Sequence, residues 1–404
     1  MKAQHRWRRL IRSCALAVPG VFTGACSITA PEIIAHGAEM SSLPLGVSAR
    51  IDDITDAWIA SGKSVGVAVE VSQAGRVVFA RGFGRRTLRD EAPVTTATQF
   101  RIGSVTKQFT AAAILRLVKE GRISLRDKLS TYYPNFPRAN EVSIEELLTH
   151  TSGIHNYTEF GKKLWVLVEL RQTHTTAEWV DHIAAQTPLY DFAPGTAWHY
   201  DNSGYYLLGA IVEKISGESL ANYFRHVFFA PLGMDDTAID GNSDRGPERA
   251  EGYEHASWPK RSFKRPFYIS MTVAGGAGSL RSSARDLIKW NNALLRGEVI
   301  DQGLLAQMTR AATLADGRLT SEGRVNTDPA DPGGEYGFGL RIGLLDGHRE
   351  IGHDGDIFGF NAALYSYPDD RLTVVVLANT PGGAYELEKR IAKLMIDSAR
   401  EPSS

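Results

Sequence analysis

The stretch of residues 100–121 constrains the fold of this chain more than any other part of the sequence. It predicts a helix that begins after Gly103 and ends at Gly121, because glycine readily adopts the left-handed conformation that closes a helix. The helix is apolar on nearly every face, with mainly alanine, isoleucine, leucine and valine between positions 111 and 118. A surface helix keeps one polar face, so we expect this helix to be buried in the middle of the molecule.

Ser104 and Lys107 are three residues apart in the first turn of this helix. Side chains at that spacing meet on one face, so the pattern places a hydroxyl beside an amine. The pairing is typical of nucleophilic catalysis, because a serine hydroxyl is a weak nucleophile until a neighbouring base accepts its proton. Burial and the positive end of the helix dipole both disfavour an ammonium, so we expect the pKa of Lys107 to be lowered. A Ser-x-x-Lys match arises by chance about once or twice in a chain of this length, so the hypothesis needs companions elsewhere.

The length and charge of the chain favour a soluble globular enzyme. Its 404 residues exceed a usual single domain but suffice for one large domain with two lobes. An apolar content of 43% provides ample core, and a formal net charge of -1 gives no basic surface for nucleic acid. We therefore expect a small-molecule or peptide substrate and no nucleic-acid partner.

Residues 1–25 have the pattern of a secretory signal peptide. Lysine and arginine precede a short apolar run at residues 14–25, which is too short to span a bilayer but suits a signal. We therefore expect export, and the pair Arg8-Arg9 leaves both the general and the twin-arginine route open. Cys14 and Cys26 are the only two cysteines, so we expect no disulfide framework in the exported body.

The site of cleavage has two alternatives. Thr23-Gly24-Ala25-Cys26 resembles a bacterial lipoprotein box, in which the cysteine is lipidated and becomes the new N-terminus, although Thr23 stands where leucine is usual. Cleavage by an ordinary signal peptidase near Ala25, Ala30 or Ala38 is the alternative. The expected location is accordingly the periplasm, or the envelope through a lipid on Cys26.

The rest of the chain predicts one domain over residues 47–398, after a linker at 26–46 and before a tail at 399–404. Strand patterns occur near both ends of this domain, and the sequence between about 105 and 278 is mostly helical. This order predicts an α/β (α+β) fold: one antiparallel sheet built from both chain ends, flanked by helices, with an all-helical lobe inserted. A cleft between the sheet and the lobe would hold Ser104.

The predicted elements include a turn that mimics another catalytic motif. Residues 62–66 match the Gly-x-Ser-x-Gly nucleophile motif, but that motif follows a strand and opens a helix, and here the order is reversed. We therefore interpret Ser64 as part of the turn into the first strand.

The predicted bounds of the helices and strands follow from the same patterns. The helices are at 47–60, 204–217 and 384–398, and the strands are at 65–71, 77–83, 336–345, 349–352, 360–367 and 372–378.

Two short motifs elsewhere offer companions for Ser104. Tyr200-Asp201-Asn202 lies in a tight loop just before the helix at 204–217, and His353-Asp354-Gly355 lies at the end of a predicted strand. A tyrosine near a lysine can relay a proton, and an asparagine can orient the amide of a substrate. Taken singly, Tyr200 is equally well explained as a core tyrosine with a satisfied hydroxyl, and His353 as a histidine at a strand end.

In this order, the three elements resemble the Ser-x-x-Lys, Tyr-x-Asn and Lys/His-x-Gly motifs of the penicillin-recognising serine enzymes. The branch concerned contains class C β-lactamases, D-Ala-D-Ala carboxypeptidases, D-aminopeptidases and related esterases. The resemblance covers about residues 47 to 398, and it implies the two-lobed β-lactamase/DD-peptidase-like fold. The segments that carry it are residues 100–107, 147–153, 200–205, 231–234, 336–340 and 352–355.

The resemblance implies a serine hydrolase that works through an acyl-enzyme. Ser104 would be the nucleophile, with Lys107 and Tyr200 as the proton-transfer pair. Asn202 would orient the substrate. No metal or organic cofactor is implied, and no cluster of His, Cys and Asp with metal-ligand spacing is visible in the sequence.

The third motif would contribute to substrate binding. His353 replaces a lysine found in many relatives, and it would hydrogen-bond near Tyr200 or the substrate, next to Gly355. The backbone N–H groups of Ser104 and Asp356 would form the oxyanion hole, which stabilises the charge that develops on the attacked carbonyl.

The substrate stays open, because one fold and one site serve peptidoglycan-type peptides, D-amino acid amides, β-lactams and esters, so an esterase or a D-aminopeptidase-type hydrolase is an alternative. A histidine at the third motif is more common in peptidase and esterase relatives than in class C β-lactamases. Asp354 stands where carboxypeptidase relatives have a threonine, which binds the terminal carboxylate of the substrate together with an arginine such as Arg341. Either Arg341 pairs with Asp354, or the natural substrate lacks a carboxylate there. A non-catalytic penicillin-binding protein on the same fold is the alternative of another class.

Overall fold

This computed structural model describes residues 43, 46–89, 91–159, 166–241, 246–257, 262–325 and 333–400. The predicted signal segment at 1–25, Cys26, most of the predicted linker and residues 401–404 lie outside these ranges. Across the described ranges, no helix combines the length and the apolar character needed to cross a bilayer.

The helices and strands have the following bounds. The helices are α1 Val47–Ala60, α2 Thr106–Lys119, α3 Ile144–Leu148, α4 Val166–Glu169, α5 Thr176–Ala184, α6 Asn202–Ser216, α7 Leu220–Phe224, α8 Ala230–Leu232, α9 Gly275–Gly278, α10 Ala284–Leu295, α11 Gln302–Met308 and α12 Ala384–Arg400. The strands are β1 Gly66–Gln73, β2 Arg76–Gly84, β3 Phe100–Arg101, β4 Ala238–Ile239, β5 Glu254–His255, β6 Phe263–Lys264, β7 Leu280–Ser282, β8 Glu335–Tyr336, β9 Arg341–Leu345, β10 His348–Ile357, β11 Phe360–Tyr367 and β12 Leu372–Ala378. A 3₁₀ turn, Gly103–Val105, leads into α2.

Within the described ranges, seven strands form one antiparallel sheet in the order β2-β1-β12-β11-β10-β9-β8. Strand β1 comes from the start of the domain and pairs with β12 from its end, with Val69 opposite Val376. This confirms the prediction that both chain ends build one sheet. The bounds of β11 and β12 are as predicted, because these strands are buried along their whole length and stand out as apolar runs.

Side chains of β12 alternate between two hydrophobic cores, one on each face of the sheet. Val374 and Val376 belong to the core that includes residues of α1 and α12. Val375 and Leu377 belong to the larger core, which includes residues of α2 and α10. The sheet is therefore covered on both faces, and one of these faces packs against α2.

Helix α2 is buried, as its sequence predicts. Every residue from Thr106 to Leu115 is buried, including the polar ones. The ring of Phe109 stacks on that of Trp290 in α10 with a centroid distance of 3.8 Å. Such packing on all sides gives the start of α2 a fixed position.

Three predictions of local structure were wrong. The predicted strand at 336–345 is two strands, because the chain turns at Gly339, where φ is 68° and a Cβ would lie 2.5 Å from the carbonyl oxygen of Lys107. His353 and its two neighbours lie inside β10, paired with β11, since polar residues there break the apolar alternation without ending the strand. The lobe predicted as all-helical also contains β4, β5 and β6, which are too short to leave a sequence pattern.

Candidate active site

The start of α2 places Ser104 and Lys107 side by side. Ser104 lies in the 3₁₀ turn and Lys107 in the first turn of the helix. The Nζ atom of Lys107 is 2.9 Å from the Oγ atom of Ser104. This is the contact that their spacing predicts.

The amine of Lys107 has two further partners, and both are acceptors. Its Nζ atom lies 2.7 Å from Oδ1 of Asn202 and 3.0 Å from the carbonyl oxygen of Ala277 in α9. Burial lowers the pKa of Lys107 well below its ordinary value of 10.5, and the guanidinium of Arg341 adds to this, although nearby carboxylates oppose it. A neutral amine donates two N–H groups to the two carbonyl oxygens and keeps its lone pair for the hydroxyl of Ser104.

The N-terminus of α6 gives Tyr200 and Asn202 defined positions. Asp201 caps this helix, because its carboxylate accepts hydrogen bonds from the N–H groups of Ser203 at 2.6 Å and Gly204 at 2.8 Å. The cap fixes the backbone between Tyr200 and Asn202. Both side chains are thereby directed from a rigid helix end.

His150 supports the same loop from the other side. Its φ of 61° is uncommon for a residue with a side chain, and its Nδ1 atom accepts a hydrogen bond from the N–H of Asp201 at 3.1 Å. The ring packs against those of Tyr200 and Tyr336, with centroid distances of 4.6 and 4.5 Å. Sequence reasoning assigned His150 no role, although it lies in the segment 147–153 that carries part of the family resemblance.

The ring of Tyr200 lies beside two basic side chains. The Nζ atom of Lys107 is 4.7 Å from the ring centroid, and the Cζ atom of Arg341 is 5.4 Å from it. Tyr200 is distant in sequence from Ser104 and Lys107. The fold nevertheless brings the three residues together at one place.

Two backbone N–H groups are brought together by glycines. A Cβ on Gly103 would lie 3.0 Å from the nitrogen of Asp356, and one on Gly355 would lie 2.0 Å from the carbonyl oxygen of Ile102 and 3.0 Å from the nitrogen of Ser104. A side chain at either position would therefore push β10 away from the 3₁₀ turn that leads into α2. The neighbouring N–H groups of Ser104 and Asp356 suit an oxyanion hole.

His353 is buried, with 1% of its surface exposed, and hydrogen-bonds to a tyrosine that the sequence analysis did not single out. Its Nδ1 atom contacts the carbonyl oxygen of Asp354, which only accepts, so Nδ1 carries the proton. Its Nε2 atom then accepts a hydrogen bond from the hydroxyl of Tyr336 at 2.8 Å. Burial lowers the pKa of His353 to about 3, so the ring is neutral. His353 is near Tyr200, with ring centroids 6.0 Å apart, and its Nε2 atom bonds Tyr336.

Arg341 and Asp354 form an ion pair, which is one of the two arrangements expected from the sequence. The Nε atom of Arg341 is 2.8 Å from Oδ1 of Asp354, and the hydroxyl of Tyr365 donates to the same oxygen at 3.1 Å. Arg341 lies opposite Gly352 in the pairing of β9 with β10, so Asp354 is its diagonal neighbour. Burial is the largest single effect and raises the pKa of Asp354, but the guanidinium of Arg341, His353 and the hydrogen bond from Tyr365 act together in the opposite direction, and the net shift of the pKa is downward.

A cavity of about 390 Å³ opens at Ser104. Asn202 and Asp356, both predicted to bind substrate, also line it. The amide nitrogen of Asn202 donates to the hydroxyl of Thr158 at 3.0 Å, and Thr158 is another lining residue. Within the described ranges, no group of three or more His, Cys, Asp or Glu side chains is placed to hold a metal ion.

Sequence comparison finds relatives of this chain among known proteins. A family model described as Beta-lactamase matches residues 51–395. Penicillin-binding protein 4* of Bacillus subtilis (strain 168) is 26% identical over 322 residues, which are 77% of this chain and 67% of that protein. A D-aminopeptidase of Brucella anthropi is 27% identical over 338 residues, which are 83% of this chain and 60% of that protein. The chain therefore spans 60 to 67% of the length of these two relatives.

Structure comparison gives matches over most of the chain. A D-amino acid amidase from Ochrobactrum anthropi SV3, complexed with L-phenylalanine, has a TM-score of 0.74 and 25% identity, covering 87% of this chain and 99% of that one. The octameric penicillin-binding protein homologue from Pyrococcus abyssi has a TM-score of 0.73 and 25% identity, and the match covers 87% of this chain and 78% of that one. These neighbours confirm the predicted fold class.

Proposed function

The chain belongs to the beta-lactamase family of serine hydrolases, and from this premise we propose that it cleaves neutral esters or amine-bearing D-amino acid amides through an acyl-enzyme on Ser104. Hydrolysis of β-lactams and of D-Ala-D-Ala peptides is proposed to be poor. The observation that carries this choice is the ion pair between Arg341 and Asp354, with a separation of 2.8 Å.

In the first half-reaction, the Oγ atom of Ser104 attacks the carbonyl carbon while the neutral amine of Lys107 accepts the hydroxyl proton. The N–H groups of Ser104 and Asp356 stabilise the oxyanion of the tetrahedral intermediate. Tyr200, beside Lys107, gives its phenol proton to the departing amine or alcohol and takes one from the Lys107 ammonium, so both groups end this half-reaction neutral. The bond to the leaving group breaks, and an ester between Ser104 and the acyl group remains.

In the second half-reaction, a water molecule attacks the ester carbonyl. The neutral amine of Lys107 accepts one proton of this water and later returns it to the Oγ atom, with Tyr200 beside it on the same proton path, and the same two N–H groups stabilise the second oxyanion. The bond between the acyl carbon and Oγ then breaks, Ser104 regains its proton, and the acid product leaves.

A substrate with a terminal carboxylate meets a disadvantage at this site. An unpaired Asp354 would repel a substrate carboxylate a few ångströms away by about 4 kcal/mol at an effective dielectric constant near 20, and its pairing with Arg341 removes much of this repulsion. The guanidinium of Arg341 offsets the charge of Asp354, but it is already bound by that carboxylate. A substrate carboxylate would have to compete with Asp354 for the same cation, whereas a neutral or amine-bearing substrate would not.

Replacing Asp354 with threonine is expected to release Arg341 and to increase acylation by a fluorescent penicillin roughly tenfold, since a hydrogen bond to a charged group contributes about 1.5–3 kcal/mol. The measurement is a panel of nitrocefin, a D-Ala-D-Ala peptide, a short-chain ester and a D-amino acid amide against the wild type and the Asp354→Thr variant. We expect the wild type to prefer the last two substrates.

Asp354→Glu is the matched control for this experiment, because it keeps a carboxylate for Arg341 and should show no gain. Efficient cleavage of either carboxylate-bearing substrate by the wild type, unchanged in Asp354→Thr, would contradict the proposed preference. Labelling by penicillin without turnover of any ester would instead favour a non-catalytic penicillin-binding protein.

We also propose that the protein is exported, with residues 1–25 removed. The proposal is supported by the basic and then apolar pattern of residues 1–25, which lie outside the described structure. Mass spectrometry of the N-terminus of the protein isolated from its native host tests it. A start at Cys26 with added acyl mass would indicate a lipid anchor, an unmodified start at a later residue would exclude one, and a chain that retains residues 1–25 would contradict removal of the segment.

A further inference from the structure

The cavity at Ser104 has largely apolar walls. Its volume of about 390 Å³ is in the range typical of small-ligand sites. Removing an apolar group from water into such a cavity favours binding. The larger apolar and aromatic lining side chains are Tyr157, Leu170, Ile269, Val273, Ile357 and Phe358.

The charged side chains in this lining are both acidic. Glu254 in β5 and Asp356 in β10 line the cavity, and no lysine or arginine of the described residues does. The Nζ atom of Lys264 lies 3.7 Å from the Oε2 atom of Glu254, but the side chain of Lys264 is 57% exposed. Water screens such an ion pair strongly, so the cavity still presents negative charge to a substrate.

Glu254 is better placed than Asp356 to select substrates by charge. The N–H of Asp356 belongs to the proposed oxyanion hole, and its carboxylate accepts a hydrogen bond from the amide of Asn361 at 3.3 Å. Glu254 lies on the separate two-stranded sheet of β5 and β6, outside α2, α6 and β10. A change at Glu254 therefore alters the charge of the cavity while Ser104 and Lys107 keep their contacts.

We propose that Glu254 selects substrates whose acyl group carries a protonated amine together with a bulky apolar side chain. The apolar walls bind the side chain, and the carboxylate of Glu254 pairs with the ammonium. The inference rests on the hydrolase function proposed above and distinguishes its two substrate classes, favouring amine-bearing amides over neutral esters. Glu254 would thus determine specificity without touching the reacting bond.

The test compares D-leucine p-nitroanilide with its N-acetyl derivative, which has the same side chain and leaving group but no cationic amine. Assays are run below about pH 7.7, where an α-amino group is protonated. We expect the wild type to have a higher kcat/KM for the free amine, and Glu254→Gln to lower the ratio of the two kcat/KM values roughly fivefold. Glu254→Asp, which keeps the charge, should retain most of the preference.

Glu218→Gln is the matched control, because it removes an exposed carboxylate outside the cavity lining and should leave the ratio unchanged. D-Alanine p-nitroanilide tests the apolar walls and should be a poorer substrate than the D-leucine compound. Equal rates for the free and the acetylated amine, or a preference that survives in Glu254→Gln, would overturn the inference while leaving the hydrolase function in place. No turnover of any compound, including a simple ester, would overturn both.

Discussion

Ser104→Ala is expected to abolish both ester hydrolysis and covalent labelling by a fluorescent penicillin, with a loss of about 10⁴-fold or more in kcat. Every bond change in the proposed reaction passes through its Oγ atom, which lies 2.9 Å from the Nζ atom of Lys107. The variant removes one oxygen atom at the edge of an open cavity, so the fold should persist. Turnover of a p-nitrophenyl ester and gel fluorescence after labelling are the measurements, and circular dichroism checks the fold.

Ser64→Ala is the control for this prediction, because Ser64 is the serine of the competing Gly-x-Ser-x-Gly match. Ser64 is 2% exposed, and its hydroxyl donates to the carbonyl oxygen of Gly66 at 3.0 Å and accepts from the hydroxyl of Thr380 at 2.8 Å. A serine with both roles occupied in the protein interior should be dispensable for turnover. Activity that survives in Ser104→Ala and disappears in Ser64→Ala would identify Ser64 as the nucleophile.

Lys107→Ala and Tyr200→Phe should each lower the acylation rate by about 10²-fold or more, the usual contribution of a general acid or base. The two groups act on one proton path, so the double variant should lose less than the product of the single losses.

In the wild type, kcat/KM should fall as the pH falls through the pKa of Lys107, because an ammonium cannot accept a proton. Burial lowers that pKa, so the rate should reach its plateau well below pH 10.5. Stopped-flow acylation across a pH series provides the measurement.

Tyr205→Phe offers a matched control for the loss of the phenol at position 200. The ring of Tyr205 is 5.5 Å from the Nζ atom of Lys107, but its hydroxyl donates to the carbonyl oxygen of Leu148 at 2.7 Å. Removing this hydroxyl should leave acylation nearly unchanged. A silent Tyr200→Phe variant would show that Tyr200 only packs against its neighbours.

The fold was predictable from sequence wherever a pattern is long and apolar. Helix α2 and strands β11 and β12 are buried along most or all of their length, so their sequences report burial directly. Strand β10 was predicted too short, because its polar residues are satisfied by neighbouring strands that a local pattern does not include. A two-residue strand such as β4 is defined by its partner alone.

The candidate site was predictable to the extent that it depends on local spacing. The contact of Ser104 with Lys107 follows from helix geometry, and their meeting with Tyr200 was inferred from family resemblance. The support from His150 depends on a left-handed backbone and on a hydrogen bond to a loop distant in sequence, neither of which has a sequence signature. The ion pair of Arg341 with Asp354 depends on strand register, which sequence alone left undetermined.

The pairing of β1 with β12 makes the completed sheet depend on the last part of the domain. Ser104, Lys107 and Tyr200 are synthesised well before Asp356, whose N–H belongs to the proposed oxyanion hole. Strand β1 has its hairpin partner early, but its other neighbour, β12, is translated near the end of the domain. Contacts between such distant segments close late, because the loop entropy must be offset first. A chain in which β12 has not yet paired therefore contains Ser104, Lys107 and Tyr200 before the sheet beside them is complete.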